Sequence, residues 1–319
     1  MATNYPALIV AFAREDGLER LVKIGINAGV KKFYVAIDGP NNDLHKASQI
    51  RMHSYLQMIR DSEGVDLQIW QREKNLGAAV GVLTAINWFF KNEEAGFILE
   101  DDLVPSIDFF NFATLALDNY KDNPEVWLVA GSRMNPNSKY PSNSEWSHYP
   151  MIWGWATWAK KWDVMSTKLI EFDQPKLQNF FSKRMNFWWA GASRAQRGLV
   201  DAWDIPLAYA QVSEKKLTVI PPVNLVTNVG FDSNATHTSG AVFPLNHPVG
   251  ALKSDLKFSS SVGHKDAQIY DQVLEKVLFK IRFRHSFLRL YGPLLDFFKS
   301  RSVLRGSLKV RLDQVNLPK

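Results

Sequence analysis

Short apolar runs alternate with amphipathic stretches through the first 130 residues. The run Pro6 to Ala13 is closed by Arg14-Glu15-Asp16-Gly17, the pattern of a strand buried on both faces. Leu18, Leu21, Val22 and Gly25 then recur at helical spacing, and Gly29 is placed to end that helix. Lys32 to Asp38 predicts a second strand, stopped by the turn Asp38-Gly39-Pro40. A polar helix over about Asp43 to Arg60 follows, then a third strand over Val65 to Trp70. Gly77 to Lys91 predicts a helix whose apolar face carries Val80, Leu83, Ile86 and Phe90. Phe97 to Asp101, Ile107 to Lys121 and Val126 to Ala130 predict a strand, a helix and a fifth strand. This alternation implies an α/β protein with a mostly parallel sheet flanked by helices. Ligands of such sheets bind beyond the carboxyl ends of the strands. Arg14, Asp38, Gln71-Arg72 and Glu100-Asp101-Asp102 all fall at those ends.

Past residue 132 the alternation fades. Ser132 to Ser147 reads as a long polar loop. Eight of the eleven tryptophans lie between Trp146 and Trp203, among them Trp153, Trp155 and Trp203. Aromatic faces suit the C–H faces of sugar rings, although each single tryptophan equally suits a packed core. Asp201 and Asp204 place two acids beside this region, and Val219 to Val226 predicts a strand broken by Pro221-Pro222. The loop Asn228 to Thr238, dense in small and polar residues, contains His237. Residues 239–265 read as irregular surface chain. From Ala267 onward Leu274, Val277, Leu278, Ile281, Leu288 and Tyr291 form an apolar face interrupted at Pro293.

Charge changes the picture of that tail. The chain carries +6 overall, yet Lys276 to Arg311 alone holds ten Lys or Arg against one acid, so the rest sums to −3. A basic amphipathic helix suits an anionic membrane surface, and equally a solvated face packed on the domain. No nucleic-acid-binding module is recognisable. With no cysteine there is neither a disulfide nor a thiolate metal site. The N-terminus has no basic leader, and no apolar run reaches the ~18 residues a spanning helix needs. The expectation is a cytoplasmic protein, docked at the inner face of the plasma membrane through the tail.

The densest chemistry is Glu100-Asp101-Asp102, three adjacent carboxylates at the end of an apolar strand and shortly before Pro105. Each needs solvent, a donor or a cation. Such a cluster suits Mn²⁺ or Mg²⁺ shared with a ligand's phosphates, since hard cations take oxygen donors and need few carboxylates when phosphates supply the rest. An acidic turn opening the next helix is the plainer reading.

These residues resemble the GT-A-fold glycosyltransferases, and most closely the N-acetylglucosaminyltransferase I family and its bacterial relatives. The match runs through Ile9 to Arg14, Val35 to Gly39, Asn75-Leu76-Gly77, Glu100-Asp101-Asp102-Leu103, Asp108-Phe109-Phe110 and Pro124-Glu125-Val126-Trp127. It spans roughly residues 6–240, best before 130. The resemblance implies a GT-A domain over 1–240, with a nucleotide-sugar half (1–131) and an acceptor half (132–240), followed by a C-terminal extension (241–319). It implies Asp102 as metal ligand, Glu100 and Asp101 on the ribose and donor sugar, and Arg14, Asp38 and Asn75 on the nucleotide. His237 is nominated as a second metal ligand, and Trp153, Trp155 and Trp203 as acceptor contacts. The base falls to Asp204 or Asp201, because the family's second Asp is replaced here by Ile205. The implied reaction is metal-dependent, inverting transfer from a UDP-sugar to a glycan or lipid-linked acceptor in surface polysaccharide synthesis. A sugar-phosphate nucleotidyltransferase, or a non-catalytic carbohydrate-binding or membrane-scaffold protein, stands as the alternative.

Overall fold

The computed structural model describes residues 3–134, 144–171, 182–230, 249–254, 256, 258, 263–288 and 307–318. Its first half follows the pattern of the sequence. Strands β1 (Ala7–Ala11), β2 (Lys32–Ile37), β3 (Asp66–Gln71) and β4 (Ala95–Glu100) alternate with helices α1 (Glu15–Asn27), α2 (Asp43–Glu63) and α3 (Gly77–Asn92). The chain continues through β5 (Leu103–Pro105), α4 (Ile107–Tyr120) and β6 (Val126–Ala130). The second half adds β7 (Glu145–Ser147), β8 (Trp155–Trp158), α5 (Ala159–Glu171), α6 (Lys183–Gln196), α7 (Asp204–Ser213), β9 (Leu217–Ile220), β10 (Val226–Asn228) and α8 (His264–Val277). A 3₁₀ turn, Phe283–Phe287, and α9 (Leu308–Asp313) complete it.

One eight-stranded sheet runs β3-β2-β1-β4-β8-β6-β9-β7. β1 to β4 are parallel, while β8 lies antiparallel between β4 and β6, and β7 antiparallel to β9. Side chains alternate across the sheet. Ile9, Val35, Phe97 and Leu99 face one core cluster with residues of α1, α2 and α4. Leu8, Tyr34, Ala36 and Ile98 face the other, with α3 and α5. Burial on both faces is why these strands read as continuous apolar runs. β5 pairs with β10 in a separate two-stranded ribbon at the carboxyl edge.

Two expectations are corrected. The fading alternation after residue 132 conceals α5, α6 and α7, and Trp155–Trp158 is a core strand. The basic tail is also not one amphipathic helix. α8 stops at Val277, Lys280 takes φ +50°, and Lys280 and Arg282 lie outside any helix. Residues 307–318 return to the body: Leu308 is fully buried, and Leu312, Val315 and Leu317 pack on the cluster containing α3. His237 and most of the Asn228–Thr238 loop lie outside the described residues.

Candidate active site

β4 ends in Glu100, and the next two residues turn beyond the sheet's carboxyl edge. Gly17, in the first turn of α1, is packed so tightly against the Asp101 carbonyl that any side chain would collide with it. That approach brings Arg14 onto the acids: its Nη1 lies 3.0 Å from Asp101 and 3.8 Å from Asp102. Asp101 turns inward. It accepts from the Phe12 amide at 2.8 Å and from Arg14, so both carboxylate oxygens are engaged in joining β4 to β1. Asp101, expected on the donor, is thus tied to Phe12 and Arg14 within the fold.

Asp102 opens outward, its side chain 23% exposed. Its carbonyl accepts from the Val229 amide at 2.8 Å, and Gly230 packs on its carboxylate where a Cβ would collide. Asn228 hydrogen-bonds the same carboxylate, a contact that nothing in the linear pattern announces except its place at the start of the polar loop. Burial, reinforced by Asp101, raises the Asp102 carboxyl to about 6 against the opposing pull of Arg14 and Asn228. Glu100, half-buried, is pushed well above the usual range by burial, then by Asp102, Asp101 and Asp204, with Arg14 opposing. Asp204 opens α7, so a residue from the second half joins the strand-end acids. Ile205 beside it packs towards Gly191 of α6.

The other candidates do structural work. Asp38 accepts from the Leu76 amide at 3.1 Å and the Gly77 amide at 3.2 Å, with Arg72 at 3.6 Å. Burial raises its carboxyl, while those amides and Arg72 pull it down. Asp201 accepts from the Ala78 and Ala79 amides at 3.1 and 3.2 Å and meets Arg311 at 3.6 Å. Together they satisfy the four orphan N–H groups that open α3. Asn75 donates to the Gly39 carbonyl at 3.1 Å, closing the same corner. Trp155 and Trp203 are 1% and 4% exposed and stack at 6.0 Å, so they fill core and cannot offer faces to an acceptor; Trp153 is half-buried.

The donor set at the strand end fits a hard divalent cation. Glu100, Asp102 and Asp204 supply only oxygen, and among the described residues Arg14 is the cation that acts on Asp101 and Asp102. Among the described residues no three His, Asp or Glu side chains are spaced to enclose an ion. An ion on Asp102 would take most of its ligands from substrate and water.

Fold and site define an α/β protein with a mostly parallel sheet and acids gathered at its carboxyl edge. No protein-family model matches the chain, and no curated protein matches it in sequence. Among solved structures, the inositol-1-phosphate CTP transferase from T. maritima overlaps 70% of this chain and 88% of its own, at 10% identity and TM-score 0.39. A UDP-glucose pyrophosphorylase complexed with UDP-glucose overlaps 69% and 90%, at 9% identity and TM-score 0.38. S. aureus TarS 1–349 overlaps 50% and 49%, at 12% identity and TM-score 0.33. Likeness of this extent carries no chemistry with it.

Proposed function

We propose that the protein is a metal-dependent, inverting glycosyltransferase that moves a sugar from a UDP-sugar to the hydroxyl of a glycan or lipid-linked acceptor. The observation that carries this reading is the convergence of Asp204 with the acids that end β4, close enough to disfavour ionisation of Glu100. Asp102, the outward-facing acid, would hold Mn²⁺ or Mg²⁺, which when bound supplies Lewis acidity to the departing diphosphate. Asp204 takes the proton of the attacking hydroxyl, a poor nucleophile at neutral pH. One base acting opposite the leaving group inverts the anomeric centre. The Glu100 side chain accepts no hydrogen bond from the described residues, and in this reading it receives donor hydroxyls. Arg14 and Asp101 hold the turn that aims Asp102. Asp38 and Asp201 fix the start of α3.

The test is purified protein with a panel of nucleotide sugars and Mn²⁺. The expected result is turnover of a UDP-sugar that chelation stops and Mn²⁺ restores. Pyrophosphate released from a nucleoside triphosphate and a sugar-1-phosphate, with no donor turnover, would assign nucleotidyl transfer instead. Glycan binding indifferent to nucleotide would assign a non-catalytic role.

A further inference from the structure

The proposed sugar transfer makes no use of the basic segment Lys276 to Leu288. Its structure suggests a use of its own. Between Lys276 and Leu288 the chain holds Lys276, Lys280, Arg282 and Arg284 and no acid. Lys276, Lys280 and Arg282, with Lys183 from the start of α6, line one cavity of about 570 Å³. None of these four cations pairs with an acid of the described residues. Glu275, the one acid among the described residues lining the cavity, is turned to the Arg184 guanidinium and accepts from the Tyr149 hydroxyl at 2.8 Å. Four unpaired cations around one concavity create a local positive potential that favours an anionic partner. Burial, then Arg284 and Arg282, push the His285 imidazole below its usual value, in keeping with that field.

An apolar group follows Arg282 directly in the chain. Phe283 is 76% exposed, flanked by Arg282 and Arg284. The turn that presents it is anchored: His285 and Ser286 are buried, and Asn186 donates to the Ser286 carbonyl at 2.7 Å. An exposed aromatic ring on an anchored turn beside the cavity's cations matches a surface whose phosphates lie just above acyl chains. A soluble polyanion would use the charges and leave the ring in water.

We propose that this face docks on an anionic lipid surface, with Lys183, Lys276, Lys280 and Arg282 receiving lipid phosphates and Phe283 entering the interface. The proposal is independent of the sugar-transfer reading, because its test needs no nucleotide. Full-length protein is sedimented with phosphatidylcholine vesicles, with and without phosphatidylglycerol, at rising salt. Binding is expected only to the phosphatidylglycerol vesicles and should weaken as salt screens the charges. The Lys276→Gln/Lys280→Gln variant should bind about 25-fold more weakly, from about five-fold per charge. Phe283→Ser should bind several-fold more weakly at every salt concentration, a loss that screening does not produce. Unchanged melting temperatures keep these exposed-site variants interpretable. Equal binding to neutral vesicles, wild-type binding by the double-Gln variant, or tighter binding to single-stranded RNA than to phosphatidylglycerol vesicles would overturn the proposal.

Discussion

Asp102 and Asp101 are neighbours in sequence with opposite fates. Asp101 is spent on the Phe12 amide and Arg14, whereas Asp102 keeps a solvent-facing side and a carboxyl raised to about 6. The folded value lies above the ordinary 3.8. The ionised form is thus penalised in the fold at every pH above about 6, and the penalty fades as pH falls towards 4. Metal-free Asp102→Asn should therefore melt about 2–5 °C higher than wild type at pH 7, with the gap closing near pH 4. The same variant should lose about 10²–10³ in kcat and the stabilisation given by UDP with Mn²⁺. A melting temperature at or below wild type at pH 7 would show that the acid crowding is compensated. Asp204→Asn should lower kcat by about 10²–10⁴ with donor KM little changed, and an unchanged kcat would remove it as the base.

At the scale of elements, α3 opens with Leu76 as N-cap, which has no side-chain cap of its own. Two carboxylates brought from elsewhere replace it, Asp38 from the end of β2 and Asp201 from before α7. Asp201→Ala should cost about 1–3 kcal/mol in urea unfolding by stranding two amides, and leave the pH–rate profile in its wild-type shape. A shifted profile with full stability would return Asp201 to the catalytic role. α5 carries a second such device. Lys161 donates to the carbonyls of Tyr120 and Asn123 at 2.7 and 3.0 Å, and burial lowers its ammonium from 10.5 to about 7. The unfolded chain therefore holds the extra proton between about 7 and 10, and stability contributed here rises with pH across that window. In thermal melts from pH 7 to just below 10, Lys161→Met should flatten that rise; an unaltered slope would contradict the burial argument.

The whole molecule ties its C-terminus to its first half. Leu308 is buried against the cluster that includes α3, and Arg311 meets Asp201 at 3.6 Å. Ending the chain at residue 306 should lower the melting temperature and loosen the start of α3, read as faster amide exchange at Ala78 and Ala79. Unchanged exchange would make the segment a passive appendage. Position in the chain explains what could be read in advance. Val126 to Ala130 was legible because five apolar residues bounded by Asn123-Pro124 and Gly131 have few other homes. Trp155–Trp158 was not, because its partners β4 and β6 lie on both sides of it in space and far from it in sequence.

The linear order of residues determined the parallel half of the sheet, its two buried faces, and the placing of Arg14, Asp38 and Glu100-Asp101-Asp102 at one edge. Periodicity and strand length are local properties, and they survive without a partner. Tertiary structure alone decided which carboxylates are spent and which remain available. The orphan amides of α3, the guanidinium of Arg14 and the approach of Asp204 to Glu100 all reach across the fold. Desolvation and pairing depend on what lies beside a group in space, and no spacing along the chain encodes that.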